Sequence, residues 1–270
     1  MGVTLGQRSP ACETNLGHAW EGDGIRPDDL AALSEDLTAL SRAVNYRDWL
    51  FSAAAPFVGR RVLEVGAGIG TMTACVADRE LVVALETSKS YADHMRRAFA
   101  DNPAVRVVEG DVTDAGLMAQ LAEHRFDSAI TFNVLEHIED DVAALRGIHD
   151  ALLPGGSLAA LVPAGRALYC DMDRSVGHHR RYTRRELVSK ARRVGFEVVQ
   201  ARHVNVTGYL LWLVRGRVMR KSTITGGAGR LLDAYDRHLV PRLRALEMRW
   251  SPPFGQSLLL VGRRLTEANS

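Results

Sequence analysis

The feature that most constrains the fold of this chain is the segment 62–71, which reads VLEVGAGIGT. Its apolar run predicts a buried strand, and the three glycines predict a tight turn that opens a helix. Glycines let the backbone approach a ligand closely, and the start of a helix offers unpaired amide groups. The dinucleotide-binding pattern GxGxxG fails because Thr71 stands where its third glycine should be. What remains is ExGxGxG, with Glu64 inside the strand.

Polar residues also follow three further predicted strands, at the points where those strands end. Glu86 closes the second strand, 20 residues after Gly66, where a carboxylate can accept both hydroxyls of a ribose. The turn GDV at 110–112 follows the third strand, and its Asp side chain beside a free backbone amide suits the amino group and ring nitrogen of an adenine. The turn NVLEH at 133–137 follows the fourth. Since ligands of open α/β sheets bind at this edge, the four turns together predict a ligand site.

Strands and helices alternate along the middle of the chain. The predicted strands are 61–65, 81–85, 105–108, 127–132 and 157–162, and the predicted helices are 46–58, 71–78, 88–100 and 140–152. Continuous apolar strands between helices indicate a parallel sheet covered on both faces. After Pro163 an irregular stretch, 164–182, precedes a helix at 183–194 that begins with a capping box of Thr183 and Glu186. A strand at 196–203, a helical insertion at 206–250 and a strand at 255–263 complete the prediction.

Taken together, these motifs resemble those of the class I S-adenosylmethionine-dependent methyltransferases. The matching residues are VLEVGAGIG at 62–70, Glu86, GDV at 110–112, NVLEHIEDD at 133–141 and LLPGGSL at 152–158. NYRDWL at 45–50, GHHRRYT at 177–183 and SPPFG at 251–255 resemble a bacterial subgroup found among polysaccharide and natural-product genes. That subgroup usually has an aromatic residue where His179 stands.

The resemblance covers residues 45–263 and implies a Rossmann-like α/β fold. This fold is a seven-stranded, mostly parallel sheet with the last strand antiparallel, helices on both faces, and a helical lid inserted before the last strand. The implied cofactor is S-adenosylmethionine, with S-adenosylhomocysteine as the product.

The resemblance further implies how the cofactor is held. Glu64 and the glycine loop would hold its methionine part, Glu86 its ribose, and Asp111 with the next residue its adenine. Tyr46 would lie near the methionine carboxylate, with core packing beside Trp49 as the alternative. The predicted cofactor-binding residues are Tyr46, Glu64, Gly66, Ala67, Gly68, Gly70, Glu86, Thr87, Asp111, Val112, Asn133 and Val134.

Catalytic side chains are expected on the acceptor side of that site. Methyl transfer needs a base only when the acceptor atom carries a proton that must leave, and imidazole suits this task at neutral pH. The predicted catalytic residues are His178, His179 and His137; a structural role within NVLEH is the alternative for the last of these. The predicted substrate-binding residues are Tyr169, Asp173, Arg181, Tyr182, Tyr209 and Trp212. No metal is expected, because Asp171, Asp173, His178 and His179 match no established ligand spacing.

Charge is divided unevenly along the chain. Residues 1–160 carry 13 Lys and Arg against 24 Asp and Glu, net −11, whereas residues 161–270 carry 21 against 8, net +13. This asymmetry favours an anionic partner for the second part, with a solvated basic surface as the alternative.

The insertion carries its own charge pattern. It opens with an apolar run at 209–214, followed by Arg215, Arg217, Arg220 and Lys221. This order predicts a lid over an acceptor with an apolar body and an anionic end, such as a lipid phosphate, an aromatic acid or an acyl group on a carrier protein. A helix resting on an anionic membrane, or a lid that only packs on the core, are the alternatives.

The predicted organisation is one domain with short tails. Residues 1–24 and 264–270 are tails; the domain spans 25–263, with an N-terminal helical cap at 25–58 and a helical lid at 206–250. The chain lacks an apolar stretch of the ~18 residues that a spanning helix needs, and its N-terminus lacks a secretory h-region. Cys12, Cys75 and Cys170 form no disulfide framework or zinc pattern, so a cytoplasmic location is expected. A homodimer, with residues 1–24 reaching a partner subunit, is compatible with the sequence.

The leading hypothesis is a methyltransferase for a small molecule, a secondary metabolite or glycolipid-type acceptor with an anionic group. A nucleic-acid methyltransferase is the second, but the chain shows no recognised RNA-binding appendage and only 6% aromatic residues. A third is a protein that keeps the cofactor for cyclisation or rearrangement, or only binds it. A dehydrogenase is disfavoured by the missing third glycine.

Overall fold

A computed structural model describes residues 42–214, 233–247 and 249–266. Seven strands form one sheet. They are β1 (Arg61–Val65), β2 (Leu81–Glu86), β3 (Val105–Glu109), β4 (Phe126–Phe132), β5 (Leu152–Pro163), β6 (Phe196–Val204) and β7 (Ser257–Arg264). The helices are α1 (Val44–Ala54), α2 (Thr73–Val76), α3 (Lys89–Ala98), α4 (Ala115–Ala122), α5 (Asp141–Ala151), α6 (Asp171–Ser175), α7 (Arg184–Arg193), α8 (Val206–Trp212) and α9 (Val240–Glu247). Short 3₁₀ turns lie at Ala55–Phe57, Leu135–His137 and Arg166–Leu168, and a π-turn at Tyr235–Leu239 precedes α9.

The strand order places a ligand crevice in the middle of the sheet. The order is β3-β2-β1-β4-β5-β7-β6, and β1 to β5 are parallel. β7 runs antiparallel to both β5 and β6. The chain progresses outward in opposite directions from β1 and β4, so the turns after these strands diverge and leave a crevice at their carboxyl ends. The predicted seven-stranded sheet with an antiparallel last strand is confirmed.

The core forms two layers, one on each face of the sheet. Alternate residues of a strand point to opposite faces, so Leu63 packs in one layer with Val83 and Ile148. Val62 packs in the other with Leu50 and Val82. All six residues of β2 are buried, as expected for an inner parallel strand.

Most predicted elements are present within one or two residues, and four differ. α6 lies inside the stretch 164–182 that was predicted to be irregular. α4 was not predicted; Asp114 caps it by accepting from the N–H groups of Gly116 and Leu117 at 2.8 and 3.1 Å. The predicted helix at 71–78 is reduced to the four residues of α2. β5 begins directly after α5, with an irregular register against β4. Pro154, Gly155 and Gly156, which follow the predicted helix and precede the predicted strand, therefore lie inside β5.

The capping box predicted at α7 is half formed. The Thr183 hydroxyl accepts from the N–H of Glu186 at 3.3 Å. The Glu186 carboxylate pairs with Arg166 at 2.8 Å.

Two acidic side chains of the insertion each cap another helix. Asp236 accepts from the N–H groups of Asn45 and Tyr46, in the first turn of α1, at 3.1 and 2.8 Å. Glu247 accepts from the N–H groups of Asn205 and Val206, at the start of α8, at 2.8 and 2.9 Å. Because a helix N-terminus has unpaired amides, these carboxylates tie the insertion to the body of the domain.

Several predictions fall on residues outside the described ranges. They are the tail 1–24, the first helix of the N-terminal cap, Cys12, Arg215, Arg217, Arg220, Lys221 and residues 267–270. Cys75 and Cys170 are buried free thiols. Among the helices described, none combines the length and the apolar character needed to cross a membrane.

Candidate functional site

The loop between β1 and α2 folds onto the end of β2. The N–H groups of Gly66 and Ala67 both donate to the carbonyl oxygen of Leu85, at 2.8 and 3.1 Å. Gly66 has a φ of +72°, and a Cβ there would lie 2.3 Å from Cγ2 of Val134. Glycine is therefore required at this position, and the loop touches the turn that follows β4.

Gly68 faces open space and anchors a carboxylate. Its φ is +58°, yet a Cβ there would meet no atom of the described residues within 4 Å. Its N–H donates to Oε2 of Glu86 at 2.7 Å, while Oε1 accepts from the N–H of Ser88 at 2.8 Å. The hydroxyl of Thr87 lies 3.4 Å from the same Oε1. The Glu86 carboxylate is thus fixed against the loop, beside room for a ligand.

Glu64 is a buried acid under the same loop. It is 3% exposed, and the Thr73 hydroxyl donates to its Oε2 at 2.6 Å. Burial raises the pKa of Glu64 to about 8, opposed by the Thr73 hydrogen bond and reinforced by the charge of Glu86. A cationic ligand group placed nearby would be stabilised by this side chain, since it would favour the ionised carboxylate.

The turns after β3 and β4 reach the same edge of the sheet. Oδ1 of Asp111 accepts from both the N–H and the hydroxyl of Thr113 at 2.8 Å, while Val112 is buried. Asn133 has a φ of +56°, and its N–H donates to the carbonyl oxygen of Leu161 at 2.8 Å. A positive φ at Asn turns the chain sharply after the strand.

Tyr46 lies on α1 and is tied to the base of the insertion. Its hydroxyl accepts from Nδ2 of Asn205 at 3.2 Å, and the same nitrogen donates to Gln256 at 2.8 Å. Desolvation raises the pKa of Tyr46 to about 12. Its ring also makes the predicted contact with Trp49, edge to face, with 6.2 Å between centroids.

The structure therefore gathers the predicted cofactor residues of the four turns at the carboxyl edge of β1 to β4. We call these turns the cofactor loops. They comprise residues 66–72, 87–88, 110–114 and 133–134, and we include Glu64 and Glu86 of the two strands that lead into the first two turns. Their ligand contacts remain predictions.

A second constellation lies beyond the cofactor loops. The N–H of His179 donates to the carbonyl oxygen of Glu136 at 2.8 Å, which lays the segment after α6 along the turn after β4. The rings of His137 and His178 meet edge to face, with 4.7 Å between centroids. Nε2 of His178 is 3.8 Å from Oε1 of Glu136. We call Glu136, His137 and His178 the histidine cluster; His179 is adjacent and exposed.

The electrostatics of this cluster are unusual. Glu136 is 0% exposed, and neither carboxylate oxygen has a hydrogen-bond partner among the described residues. Burial raises the pKa of Glu136 to about 8, although the nearby charge of Arg181 opposes the shift. Desolvation of the partly exposed ring, with His178 beside it, lowers the pKa of His137 to about 4.

Asp173 orients His178 from the other side. Its Oδ1 lies 2.9 Å from Nδ1 of His178 and accepts from Nε of Arg181 at 2.7 Å. Burial alone would raise the pKa of Asp173, but His178 and Arg181 hold it below its usual value. The Arg181 guanidinium also stacks on Trp212, 4.4 Å from the ring centroid. Successive contacts thus connect Trp212, Arg181, Asp173, His178 and Glu136.

The six predicted substrate-binding residues divide into two groups. Asp173, Arg181 and Tyr182 are buried, and their polar atoms contact protein groups; the Tyr182 hydroxyl donates to Asp141 at 2.7 Å. Burial raises the pKa of Tyr182 far above its usual value.

The other three are Tyr169, Tyr209 and Trp212 on the segments around α6 and α8. The hydroxyl of Tyr169 donates to the carbonyl of His178 at 2.8 Å, and the ring of Tyr209 packs on Phe254. Trp212 is 8% exposed, and its Nε1 has no partner within the described ranges. Apolar side chains beside Trp212 are exposed, at 51% for Leu210 and Leu211.

Sequence reasoning missed the residues whose role depends on distant contacts. Glu136 lies inside the recognised NVLEH turn, and its only sequence signal was its place beside His137 after a strand. Asn205 and Glu247, through which the start of α8 contacts the end of α9, carried no local motif.

Positive charge collects at the β6 edge of the sheet. A groove of about 960 Å³ between α7 and β6 is lined by Arg184, Arg185, Arg192 and Arg202, among others. The cofactor loops follow β1 to β4 on the other side of β5 and β7. The charge excess of the second part therefore lies partly on a surface separate from the cofactor loops.

The comparisons with known proteins agree with this geometry. A family model described as a methyltransferase domain matches residues 63–160, a little over a third of the chain. The cypemycin N-terminal methyltransferase of a Streptomyces species is 32% identical over 137 residues, which are 48% of this chain and 53% of that protein. The chain spans about half or less of the length of the first curated relatives that it matches, between 36% and 56%.

Solved structures share the fold at low sequence identity. An S-adenosylmethionine-dependent methyltransferase from Mesorhizobium loti matches with a TM-score of 0.52 and 16% identity, over 80% of this chain and 98% of that one. The cyclase SpnF matches with a TM-score of 0.55 and 18% identity, over 83% of each chain. Together with the sheet order, these likenesses confirm the predicted fold class.

Proposed function

Because the chain contains a domain of the class I S-adenosylmethionine-dependent methyltransferase family, we propose that it binds this cofactor at the cofactor loops and methylates a small-molecule acceptor. The observation that supports the proposal best is the glycine loop with the open space beside Gly68, where Glu86 is already fixed. The cofactor supplies an activated methyl group on sulfur, so the protein's task is binding, alignment and exclusion of water.

The residues of the cofactor loops fit the parts of such a cofactor. Glu86 has lone pairs left to accept from ribose hydroxyls, since each oxygen holds one short backbone contact. Glu64 would favour the cationic methionine end, and Asp111 with Val112 would border the adenine. Tyr46, on the helix that covers this face, would close the methionine end.

The acceptor is proposed to lie against the histidine cluster. Where the acceptor carries a proton, histidine-assisted loss of that proton takes place there, because the two imidazoles and a carboxylate converge. The exposed apolar side chains at the end of α8 suit an acceptor with an apolar body. The basic residues that follow α8 in the sequence, Arg215, Arg217, Arg220 and Lys221, support an anionic group on that acceptor, as in a secondary metabolite or a glycolipid-type compound.

The test is calorimetric titration with S-adenosylmethionine and S-adenosylhomocysteine, using two glutamates from opposite ends of β2. Glu86→Ala removes the anchor of Gly68 and the proposed ribose contact, so affinity should fall by about 10–100-fold. Glu80→Ala removes an exposed partner of Arg60 and Arg61 and should leave affinity unchanged.

Wild-type protein that binds neither compound, or equal losses in the two variants, would overturn the cofactor assignment. Binding without methyl transfer to any acceptor across a panel of small anionic compounds would instead favour a protein that uses the cofactor without transfer. Salt-sensitive RNA binding with methylation of RNA would favour a nucleic-acid substrate.

A further inference from the structure

The histidine cluster has the composition of a cation site. One ligand atom from each of Glu136, His137 and His178 lies within 4.8 Å of the other two. We propose that these three side chains bind a divalent transition-metal ion on the acceptor side of the methyltransferase site. The ion's part in catalysis rests on the proposed function, whereas its binding does not.

The first support is the state of Glu136. Its carboxylate is fully buried, and within the described ranges neither oxygen is hydrogen-bonded. A buried carboxylate without partners is costly, and proteins normally pair such a group or use it to coordinate a metal. Arg181 does not fill this place, because its guanidinium contacts Asp173, Ala164 and Trp212.

The second support is the orientation of His178. Oδ1 of Asp173 holds its Nδ1 at 2.9 Å, which favours a proton on Nδ1 and leaves the Nε2 lone pair free. Nε2 is the atom that lies 3.8 Å from Glu136. Histidines that ligate metals usually donate their other N–H to a carboxylate in this way. Arg181 in turn fixes Asp173, so the ring cannot easily turn.

The third support is the local backbone. His137 follows Glu136 directly in a 3₁₀ turn, and the N–H of His179 donates to the carbonyl oxygen of Glu136 at 2.8 Å. This contact holds the segment that carries His178 against the turn that carries the other two ligands. A Cβ at Gly177 would lie 3.7 Å from Nδ1 of His137, so a small residue borders that ring.

From the sequence no metal was expected, and this ligand set differs from the combination of Asp171, Asp173, His178 and His179 that was set aside there. Asp171 is exposed and paired with Arg174, and Asp173 is engaged by His178 and Arg181. Two imidazoles with one carboxylate favour zinc, iron, cobalt or manganese over calcium and magnesium, which prefer oxygen ligands. Three protein ligands also leave coordination positions open, as catalytic sites do.

An open position gives the ion a chemical role. An acceptor hydroxyl bound there loses its proton to water more readily, because the cation stabilises the oxygen anion. The oxygen lone pair then forms the new bond to the methyl carbon as the carbon–sulfur bond breaks, and the sulfur keeps that electron pair. In this scheme His178 assists the loss of the proton as a ligand of the ion, and water is the base.

The experiment uses the full chain after treatment with a chelator, titrated with ZnCl₂ by calorimetry and with CoCl₂ by visible absorption. We expect one ion per chain and a cobalt spectrum of low coordination number. Glu136→Gln and His178→Gln should each weaken binding by about 100-fold, and Asp173→Asn, a positioning change, by about 10-fold. His179→Gln, beside the cluster, should bind as the wild type does and so separates this ligand set from the earlier one.

Titration of the same proteins with S-adenosylmethionine checks that each variant is folded. Zinc and cobalt that fail to bind to a wild-type protein competent for the cofactor would overturn the metal site and leave the proposed function standing. Equal metal affinity in Glu136→Gln, His178→Gln and the wild type would also overturn the metal site and leave the proposed function standing. A protein that binds zinc through these residues but not the cofactor would support the metal site and overturn the proposed function.

Discussion

The cofactor loops and the proposed acceptor side satisfy their polar groups in different ways. The acceptor side is the histidine cluster together with Asp173, Arg181 and Tyr182. In the cofactor loops, acidic side chains accept from backbone N–H groups: Glu86 from Gly68 and Ser88, and Asp111 from Thr113. On the acceptor side, charged and polar side chains contact one another. Asp173 contacts both His178 and Arg181, and the Tyr182 hydroxyl donates to Asp141, 41 residues away.

This difference separates two kinds of rigidity. A loop whose polar groups are paired with its own backbone keeps its shape when the ligand leaves, so a ligand can be exchanged without loss of the fold. A buried network of charged side chains depends on each member, because removal of one leaves the others desolvated and unpaired. Substitutions of polar side chains on the acceptor side should therefore cost stability, whereas those of polar side chains in the cofactor loops should mainly cost affinity.

The largest effect is expected at Arg181. Arg181→Met leaves the Asp173 carboxylate buried without its guanidinium partner, so the free energy of unfolding should fall by about 3–5 kcal/mol. Arg60→Met also removes a guanidinium, but its side chain is 79% exposed and its partner is Glu80. That control should cost less than about 1 kcal/mol.

Urea denaturation measures both arginine variants. Combining Arg181→Met with Asp173→Asn should recover part of the loss, since the unpaired carboxylate is removed as well. Equal losses of unfolding free energy for Arg181→Met and Arg60→Met would contradict the stabilising role proposed for the buried side chains of the acceptor side.

The next effect separates two glycines of one loop. Gly66→Ala places a Cβ 2.3 Å from Val134 at a φ of +72°, so it should cost about 2–4 kcal/mol of stability. Gly68→Ala meets open space at a φ of +58° and should cost about 1 kcal/mol. Because that space is the proposed ligand site, Gly68→Ala should lose more in cofactor affinity than in stability.

Thermal unfolding and calorimetric titration of the two variants, side by side, provide the measurement. Truncation at Val134→Ala should rescue Gly66→Ala in part and leave Gly68→Ala unchanged. If Gly68→Ala were the less stable of the two, the packing described for this loop would be wrong.

The same contrast explains what could be predicted from the sequence. The glycine loop, Glu86 and the strand ends are local patterns, so spacing was enough to place them, and the sheet followed from the alternation of elements. α4 was missed because its eight residues are too few to show a helical period, and its signal was mainly the cap at Asp114.

The acceptor side could not be predicted because its arrangement depends on burial. No local rule shows that Arg181 lies under Trp212, or that neither carboxylate oxygen of Glu136 is hydrogen-bonded to a described residue. Asp236 likewise caps α1 from 190 residues away. In such places residue type indicates chemistry, but only the fold shows whether a side chain contacts a ligand, another side chain or nothing.

The smallest loss of stability is expected at Glu64, a buried acid beneath the glycine loop. Its raised pKa of about 8 means that the folded protein carries a proton there at pH 7. Glu64→Gln replaces the carboxyl with an amide that is neutral at every pH, so below about pH 4.5, where the carboxyl is protonated in both the folded and the unfolded state, the free energy of unfolding should change by less than about 1 kcal/mol. At pH 7 the variant should be the more stable protein, because only the wild type must take up a proton on folding.

The pH dependence gives the sign of the Glu64 effect. The usual carboxyl pKa of 4.5 applies to the unfolded chain, so between that value and about 8 the folded state binds the extra proton. The free energy of unfolding therefore falls as pH rises through this window, by up to about 1.4 kcal/mol per pH unit, and Glu64→Gln should flatten the slope. A cationic methionine end bound nearby would lower this pKa, so cofactor binding at pH 7 should release a proton from the wild type but not from the variant. Titrations in two buffers of different ionisation enthalpy measure that proton, and an equal release from both proteins would place the proton elsewhere.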